Sequence, residues 1–156
     1  VDTAHLFMEN KCIGCTIMMN RAILPYLKEL PEEIRVHDWW LALICSHFGA
    51  IGYLPEATLM YRQHEGNQIG GTSYSGYLKK RVSKMKEQRQ VLFDTYRQGK
   101  AFLQVFDSKM TKEQRKTATK FAAMTDASFL GRRYLALRYG FLKSGLIRNA
   151  GLFFLL

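Results

Sequence analysis

The sequence has little of several features that would point to a particular class of protein. Its 156 residues include only three prolines and three cysteines, while 47% are hydrophobic and 13% are aromatic. This composition excludes wholesale disorder, and the odd number of cysteines argues against a disulfide framework and for a reducing compartment. No apolar run reaches the roughly 18 residues that a membrane-spanning helix needs. We therefore expect a domain-sized chain with a hydrophobic core, located in the cytoplasm.

Acidic residues are scarce in the second half of the chain. Residues 1–70 contain five Lys/Arg and eight Asp/Glu, a net charge of −3, whereas residues 71–156 contain eighteen basic and five acidic residues, a net charge of +13. This asymmetry predicts that the second half meets an anionic surface, either nucleic acid or a membrane face. No recognised signature of DNA or RNA binding accompanies the charge, so the membrane is the favoured partner. The alternative is that the basic helices form a solvated charged face and pack on the first half of the chain.

Three short apolar stretches in the first half predict β-strands. Residues 12–19 form an apolar run bounded by charged residues. Residues 50–54 and 57–62 have the composition of two further strands separated by a proline and a glutamate. These stretches indicate a small sheet in the first half of the chain.

Other segments are predicted to be helical. Asn20 is expected to cap a helix over residues 21–30. A second helix is expected from Asp38 to about Phe48, with a glycine directly after it as a suitable C′ residue. In the second half, Thr111 and Gln114 have the spacing of a capping box.

A Gly- and Ser-rich stretch at residues 64–76 divides the chain. We therefore predict an α/β fold of mostly helical character, with residues 1–71 as a small α/β unit and residues 72–156 as a basic helical extension. The last predicted helix covers residues 128–149. Its apolar stripe consists of Leu130, Tyr134, Leu137 and Phe141.

Asp38 is the most informative single residue, because it lies between a histidine and two tryptophans at the predicted start of a helix. One interpretation is an N-cap carboxylate that accepts backbone N–H bonds. The other is a general base whose charge is favoured by the helix dipole. The two interpretations are compatible, since a capping carboxylate keeps a second oxygen for another partner.

The remaining chemistry-bearing residues are less specific. Cys12 and Cys15 have the spacing of a zinc or redox pair, but no second closely spaced pair accompanies them, so we expect two small buried apolar residues. His64 follows the last predicted strand beside the glycine-rich stretch. It is expected to be either a surface histidine or a metal or phosphate contact.

Taken together, two stretches resemble the second half of family 2 glycosyltransferases, particularly the bacterial rhamnosyltransferase-like group. They are NKCIGCTIMMNRAIL at residues 10–24 and HDWWLALICSHFGAIGYLPEATLMYRQHEGNQIGG at residues 37–71. The resemblance covers about residues 8–71, and the rest of the chain matches only as a variable helical extension. It implies the C-terminal part of a GT-A fold, with short strands plus a helix.

The resemblance also implies site residues for an inverting sugar transfer. Asp38 would be the catalytic base that deprotonates the acceptor hydroxyl. The acceptor or donor pocket would be lined by Gly14, Cys15, Thr16, His37, Trp39 and Trp40. Arg62 and His64 would lie on the diphosphate side, with His64 as a candidate metal ligand. The alternatives are a structural ion pair for Arg62 and core packing for the two tryptophans.

Cofactor and partners follow from the same resemblance. A divalent cation, Mg²⁺ or Mn²⁺, would neutralise the leaving diphosphate in the full-length enzyme. The donor would be a sugar linked to dTDP or UDP, with rhamnose as the sugar that this group suggests. The acceptor would be a saccharide or lipid-linked saccharide of a cell-surface polysaccharide. The family's Asp-x-Asp motif is missing from these 156 residues. We therefore expect a C-terminal portion that is inactive alone, holds no cation tightly and lies at the cytoplasmic face of the membrane.

The alternative to an enzyme portion is an interaction module without catalysis. In that case the basic helices of the second half would bind nucleic acid or a membrane, and the motif residues would have no chemical role.

Overall fold

The computed structural model describes residues 2–28, 30–60, 62 and 85–156, and within these ranges every regular element is helical. The α-helices are α1 (Thr3–Met8), α2 (His37–Phe48), α3 (Met85–Phe106), α4 (Lys112–Ala122), α5 (Phe129–Tyr139) and α6 (Leu146–Leu155). Shorter 3-10 helices lie at Gly14–Thr16, Arg21–Tyr26, Asp107–Lys109 and Ala123–Thr125.

The prediction of an α/β fold with GT-A-like strands was wrong for the described residues. They contain no strand or sheet, so this part of the chain is all-helical. Residues 12–19 contain only a single 3-10 turn, and Met18 within them is 97% exposed. Residues 50–60 have no regular structure. A strand is stable only when its backbone N–H and C=O groups pair with a neighbouring strand, and no described segment supplies that neighbour.

For the helices of the first half, the predicted starting positions agree with the structure better than the predicted helix types do. The side chain of Asn20 accepts a backbone N–H two residues later at 3.1 Å, which confirms the predicted cap. The helix predicted over residues 21–30 is instead a 3-10 helix at Arg21–Tyr26, because Pro25 lies inside it and lacks a backbone N–H. The helix α2 ends at Phe48, as predicted.

Capping also fixes the helices of the second half. Thr111 and Gln114 form the predicted capping box, in which each side chain accepts the backbone N–H of the other residue, at 3.3 and 2.8 Å. The single helix predicted over residues 128–149 is in fact α5 and α6. Gly140, with a left-handed φ of 73°, ends α5, and Gly145, with a φ of 82°, is the N-cap of α6.

One hydrophobic core joins the two predicted parts of the chain. The helix α1 contacts α2, α3 and α4. Phe7 on α1 stacks against Phe121 with 4.9 Å between ring centroids, and Trp40 meets Phe102 edge-on at 5.2 Å. The predicted boundary between residues 71 and 72 lies outside the described residues. Buried side chains on both sides of it nevertheless belong to the same core.

The helices α3 and α4 approach each other closely at Gly99. A Cβ atom built on Gly99 would lie 2.3 Å from Cδ1 of Phe121. The Phe121 ring is fully buried and is held by its contacts with Phe7, Tyr96 and Phe141. The core at this point therefore has no room for even one additional methyl group.

We expect Gly99→Ala to lower the free energy of unfolding by about 1–3 kcal/mol, because the added methyl group overpacks the core. Gly151→Ala on α6 is the matched control, since nothing lies within 4 Å of its Cβ position. The higher helix propensity of alanine predicts that the control is unchanged or stabilised by up to about 1 kcal/mol. Urea unfolding measures both variants, and equal effects of the two substitutions would contradict the close packing at Gly99.

Candidate functional site

Asp38 is the second residue of α2, and its part-buried carboxylate links three segments of the chain. Its Oδ2 accepts a hydrogen bond from the backbone N–H of Gly14 at 3.0 Å, and its Oδ1 accepts one from Nδ2 of Asn10 at 2.9 Å. Asp38 is not the N-cap of α2, because the helix begins one residue earlier than predicted and Val36 occupies the cap position. A carboxylate oxygen has two lone pairs, so each oxygen retains one further acceptor position.

Asn10 can present only its N–H groups to Asp38. The Oδ1 atom of Asn10 accepts the backbone N–H of Cys12 at 2.9 Å, and this bond fixes the orientation of the amide. The side chain at position 38 must therefore accept a hydrogen bond from both Asn10 and Gly14. A carboxylate offers a separate oxygen to each donor, whereas an asparagine offers one oxygen and turns its own N–H groups towards the other donor.

Gly14 lies against His37, which explains the absence of a side chain at position 14. A Cβ atom there would lie 2.8 Å from Nε2 of His37 and 3.5 Å from Oδ2 of Asp38. Gly14 and His37, two of the predicted pocket residues, thus lie directly beside the carboxylate. Cys15 and Thr16 are exposed, and the Thr16 hydroxyl donates to a carbonyl of its own turn at 2.8 Å.

The two tryptophans after Asp38 are buried, with 5% of Trp39 and 1% of Trp40 exposed. Trp40 packs in the core against Phe102. Trp39 donates from Nε1 to the backbone carbonyl of Leu6 at 2.6 Å, and it also lines a cavity. Core packing, the alternative interpretation, therefore accounts for the position of Trp40, whereas Trp39 also borders open space.

The diphosphate-side prediction concerns residues further along the chain. Arg62 is exposed, and His64 lies outside the described residues. Among the residues that the structure describes, no three His, Cys, Asp or Glu side chains come together to hold a metal ion. We therefore derive no chemical step through a bound cation.

The cysteine pair has an environment that does not favour reactivity. Burial, and next the negative charge of Asp38, raises the pKa of the Cys12 thiol. A thiol with a raised pKa carries little thiolate at neutral pH and is a poor nucleophile. Cys15 is exposed, although the sequence predicted that it would be buried.

A cavity of about 210 Å³ lies beside Asn10, and the sequence gave no indication of it. It is bordered by the end of α1, the start of α2, the first half of α3, and α6. Its polar lining includes Glu9, Arg35, Gln88, Thr95, Lys143 and Arg148. These residues are spread over more than 130 positions, so no local pattern could have revealed the cavity. The helical spacing of the α3 residues that line it was the one available signal.

Glu9 is the acidic residue of this cavity, and donors from both ends of the chain surround it. Its Oε2 accepts from Nζ of Lys11 at 2.7 Å, from the backbone N–H of Ser144 at 2.8 Å and from Nε2 of His5 at 3.1 Å, while Oε1 pairs with Arg148. Burial raises the pKa of Glu9, but the bonds from Lys11 and Ser144 and the charge of Arg148 outweigh that effect. The pKa is lowered to about 2.

Arg35 also lies on the cavity wall, but no carboxylate among the described residues forms an ion pair with it. Its backbone N–H donates to Oε1 of Gln98 and its Nη1 to Oγ1 of Thr95, both at 2.9 Å. The guanidinium carbon lies 5.2 Å from the ring centroid of Trp39, a cation–π geometry. Burial lowers the pKa of Arg35, and the more distant charge of Asp94 only partly opposes this.

Comparisons of the chain with protein-family models, with curated proteins and with solved structures found no match. None of the helices in the described residues combines the length and apolar character needed to cross a membrane. The function is therefore argued from the geometry of the Asp38 site, together with the resemblance of the two motifs.

Glu9 is expected to make the fold sensitive to acid. Because its pKa is about 2 in the folded protein and 4.5 without these contacts, its stabilisation is complete above about pH 4.5 and is lost as the pH falls towards 2. Glu9→Gln should lower the free energy of unfolding by about 1–3 kcal/mol at pH 7, and by less at pH 3. Glu113→Gln, at an exposed position on α4, is the control. Urea unfolding at both pH values tests this, and a loss of equal size at pH 7 and pH 3 would contradict it.

Proposed function

We propose that this chain supplies the catalytic base of an inverting glycosyltransferase, and that the base is Asp38. The proposal is supported mainly by the position of the Asp38 carboxylate. Asn10 and Gly14 hold it in place, and each oxygen keeps an acceptor position for a substrate hydroxyl. The hydrogen bond between Gly14 and Asp38 also joins the two resembling motifs across 24 positions of sequence.

Such a carboxylate can act on an acceptor sugar by general base catalysis. A hydroxyl that donates to the remaining lone pair lies at hydrogen-bond distance from the base. Its oxygen becomes nucleophilic towards the anomeric carbon as the proton moves to Asp38. A positioned base of this kind contributes roughly 10²–10⁴-fold to the rate. Asp38 lies in the first turn of α2, and only its carboxylate form can accept the proton.

The substrates of the proposed reaction follow the motif resemblance. The donor is a dTDP- or UDP-linked sugar, and the acceptor is a saccharide or lipid-linked saccharide. These 156 residues contain no Asp-x-Asp motif. We therefore assign donor binding to a separate unit and expect no sugar transfer by this chain alone.

Asp38→Asn is expected to lower kcat by about 10²–10⁴-fold with little change in the KM for the donor, because an amide cannot take up the proton. Sugar transfer is measured with the protein and the donor-binding unit that works with it. The amide must also place one donor against another donor, on either Asn10 or Gly14. We expect this contact to cost about 1–3 kcal/mol of stability.

An exchange of the two side chains separates the chemical effect from the structural one. In Asn10→Asp/Asp38→Asn, the carboxylate at position 10 accepts from Cys12 and from the new amide, whose oxygen accepts from Gly14. Every hydrogen bond of the cluster is thereby restored. We expect the double variant to regain stability in urea unfolding but to remain inactive. Transfer that returns together with stability would mean that Asp38 only holds the fold.

A second proposal, binding to an anionic membrane surface, is supported by the outer face of α5. The apolar stripe predicted there is exposed, with 73% of Leu130, 62% of Tyr134 and 66% of Leu137 accessible. Phe141, beyond the end of α5, is buried instead. The opposite face of α5 packs on the core through Ala136. A helix that is apolar on its outer face as well as its inner face is typical of a partner or membrane surface.

Charge favours lipid as the partner of this stripe. Arg133 and Arg138 flank it around the helix, and residues 127–156 contain five Lys/Arg and no Asp/Glu. Exposed apolar side chains continue on α6 at Leu146 and Phe154, which are 88% and 71% accessible. Apolar residues bordered by arginines suit a helix that lies in the membrane interface, where each basic residue near an anionic surface adds about 1 kcal/mol.

Leu130→Ser/Tyr134→Ser/Leu137→Ser is expected to weaken binding to vesicles that contain phosphatidylserine at least tenfold, because apolar burial in the lipid is lost. Tyr53→Ser/Leu54→Ser is the control, since it removes side chains of similar exposure, 88% and 61%, from the first half of the chain. Vesicle co-sedimentation measures both variants. Equal binding by both, or a dimer that forms through the stripe in sedimentation equilibrium, would rule out the membrane proposal.

A further inference from the structure

The cavity beside Asn10 has a positively charged lining. Arg35 and Arg148 each contribute a positive charge, and among the described lining residues Glu9 contributes one negative charge. The Glu9 carboxylate is already engaged by donors around it, including Lys11, which lies outside the lining. The cavity therefore has a net charge that suits an anion.

Arg35 is held in a fixed position on the cavity wall. Thr95 binds one end of its guanidinium and the Trp39 ring lies beside it, so the position of the group is fixed before any ligand arrives. Its Nε and Nη2 groups make no hydrogen bond with a described residue, and no carboxylate in the described part of the chain lies at ion-pair distance. A partly buried cation without a counter-ion is unfavourable, and a bound anion would offset this cost.

The size and chemistry of the cavity select the kind of anion. A guanidinium binds two oxygens of one phosphoryl group through parallel N–H bonds, and a phosphate ester carries close to two negative charges at neutral pH. The volume of about 210 Å³ is below the 300–1,000 Å³ that is usual for sites of drug-sized ligands. The cavity thus has room for a phosphoryl or diphosphoryl group, with the rest of the molecule outside.

We propose that this cavity binds the phosphoryl or diphosphoryl group of a phosphate ester, with Arg35 as the bidentate ligand and with Arg148 as a further positive charge. The site does not depend on sugar transfer by Asp38. The ester could be a soluble metabolite or a lipid-linked diphosphate, because both present the same group to the arginine.

Isothermal titration calorimetry of the full chain at constant ionic strength tests the site with inorganic pyrophosphate. We expect saturable binding, weakened at least tenfold in Arg35→Gln. Arg97→Gln removes an arginine from an exposed position of α3 that does not line the cavity. This control should change the affinity for pyrophosphate less than twofold. Farnesyl diphosphate is the second probe. Tighter binding than pyrophosphate supports a lipid-linked ligand, and equal affinity supports a soluble one.

A second pair of variants keeps the contacts of Arg35 intact. Gln88→Glu places a negative charge on the cavity wall near the start of α3, where the helix dipole tolerates it, and should weaken pyrophosphate binding at least tenfold. Gln104→Glu makes the same change at an exposed position of α3 and should have little effect. Equal weakening by both, or no saturable binding to the unmodified chain, would overturn the proposal. Asp38→Asn should retain pyrophosphate binding, so the two proposals fail independently.

Discussion

The arrangement of the two halves depends on the contacts that the buried carboxylate of Glu9 makes with the second half. Glu9 lies directly after α1 and accepts a hydrogen bond from Ser144, 135 positions later, as well as pairing with Arg148. A buried charge is tolerated only where hydrogen bonds and opposite charges offset its desolvation. Part of the positive charge of the second half is therefore structural, because it neutralises an acidic residue of the first half.

The same anchoring determines where the candidate base lies. Asn10 follows Glu9 directly, so fixing the carboxylate of Glu9 also fixes the backbone from which the Asn10 amide reaches Asp38. On the other side of α1, the indole N–H of Trp39 binds the carbonyl of Leu6. Two adjacent residues of α2 are thus attached to α1 and the segment that follows it. The Asp38 carboxylate therefore has the fixed position that a catalytic or binding group requires.

The capping signals at Asn20 and Thr111 were reliable, whereas the strand signals, which depend on distant partners, were not. The capping box at Thr111 involves residues three positions apart and was confirmed. Residues 12–19 were predicted as a strand from apolar character alone, but a strand also needs a neighbour that the sequence pattern cannot supply. The meeting of Gly14 with Asp38 was expected only through the motif resemblance. The cavity of Arg35 and Arg148 could not be predicted, because its walls come from four separate segments.

Glu9 and Arg35, two charged residues on the cavity wall, differ greatly in how far neighbouring groups compensate their charge. This difference argues for a binding role. Glu9 has several donors and a pKa of about 2, so its ionisation is fully compensated by the protein itself. Arg35 is held by Thr95 and Trp39, but burial lowers its pKa, and among the described residues the charge of Asp94 opposes this only in part. Stability alone would favour an apolar or paired residue at position 35, since an unmatched buried charge weakens the native state. A guanidinium kept on a cavity wall, with Nε and Nη2 bound to no described residue, is instead the arrangement expected where the missing negative charge arrives with a ligand.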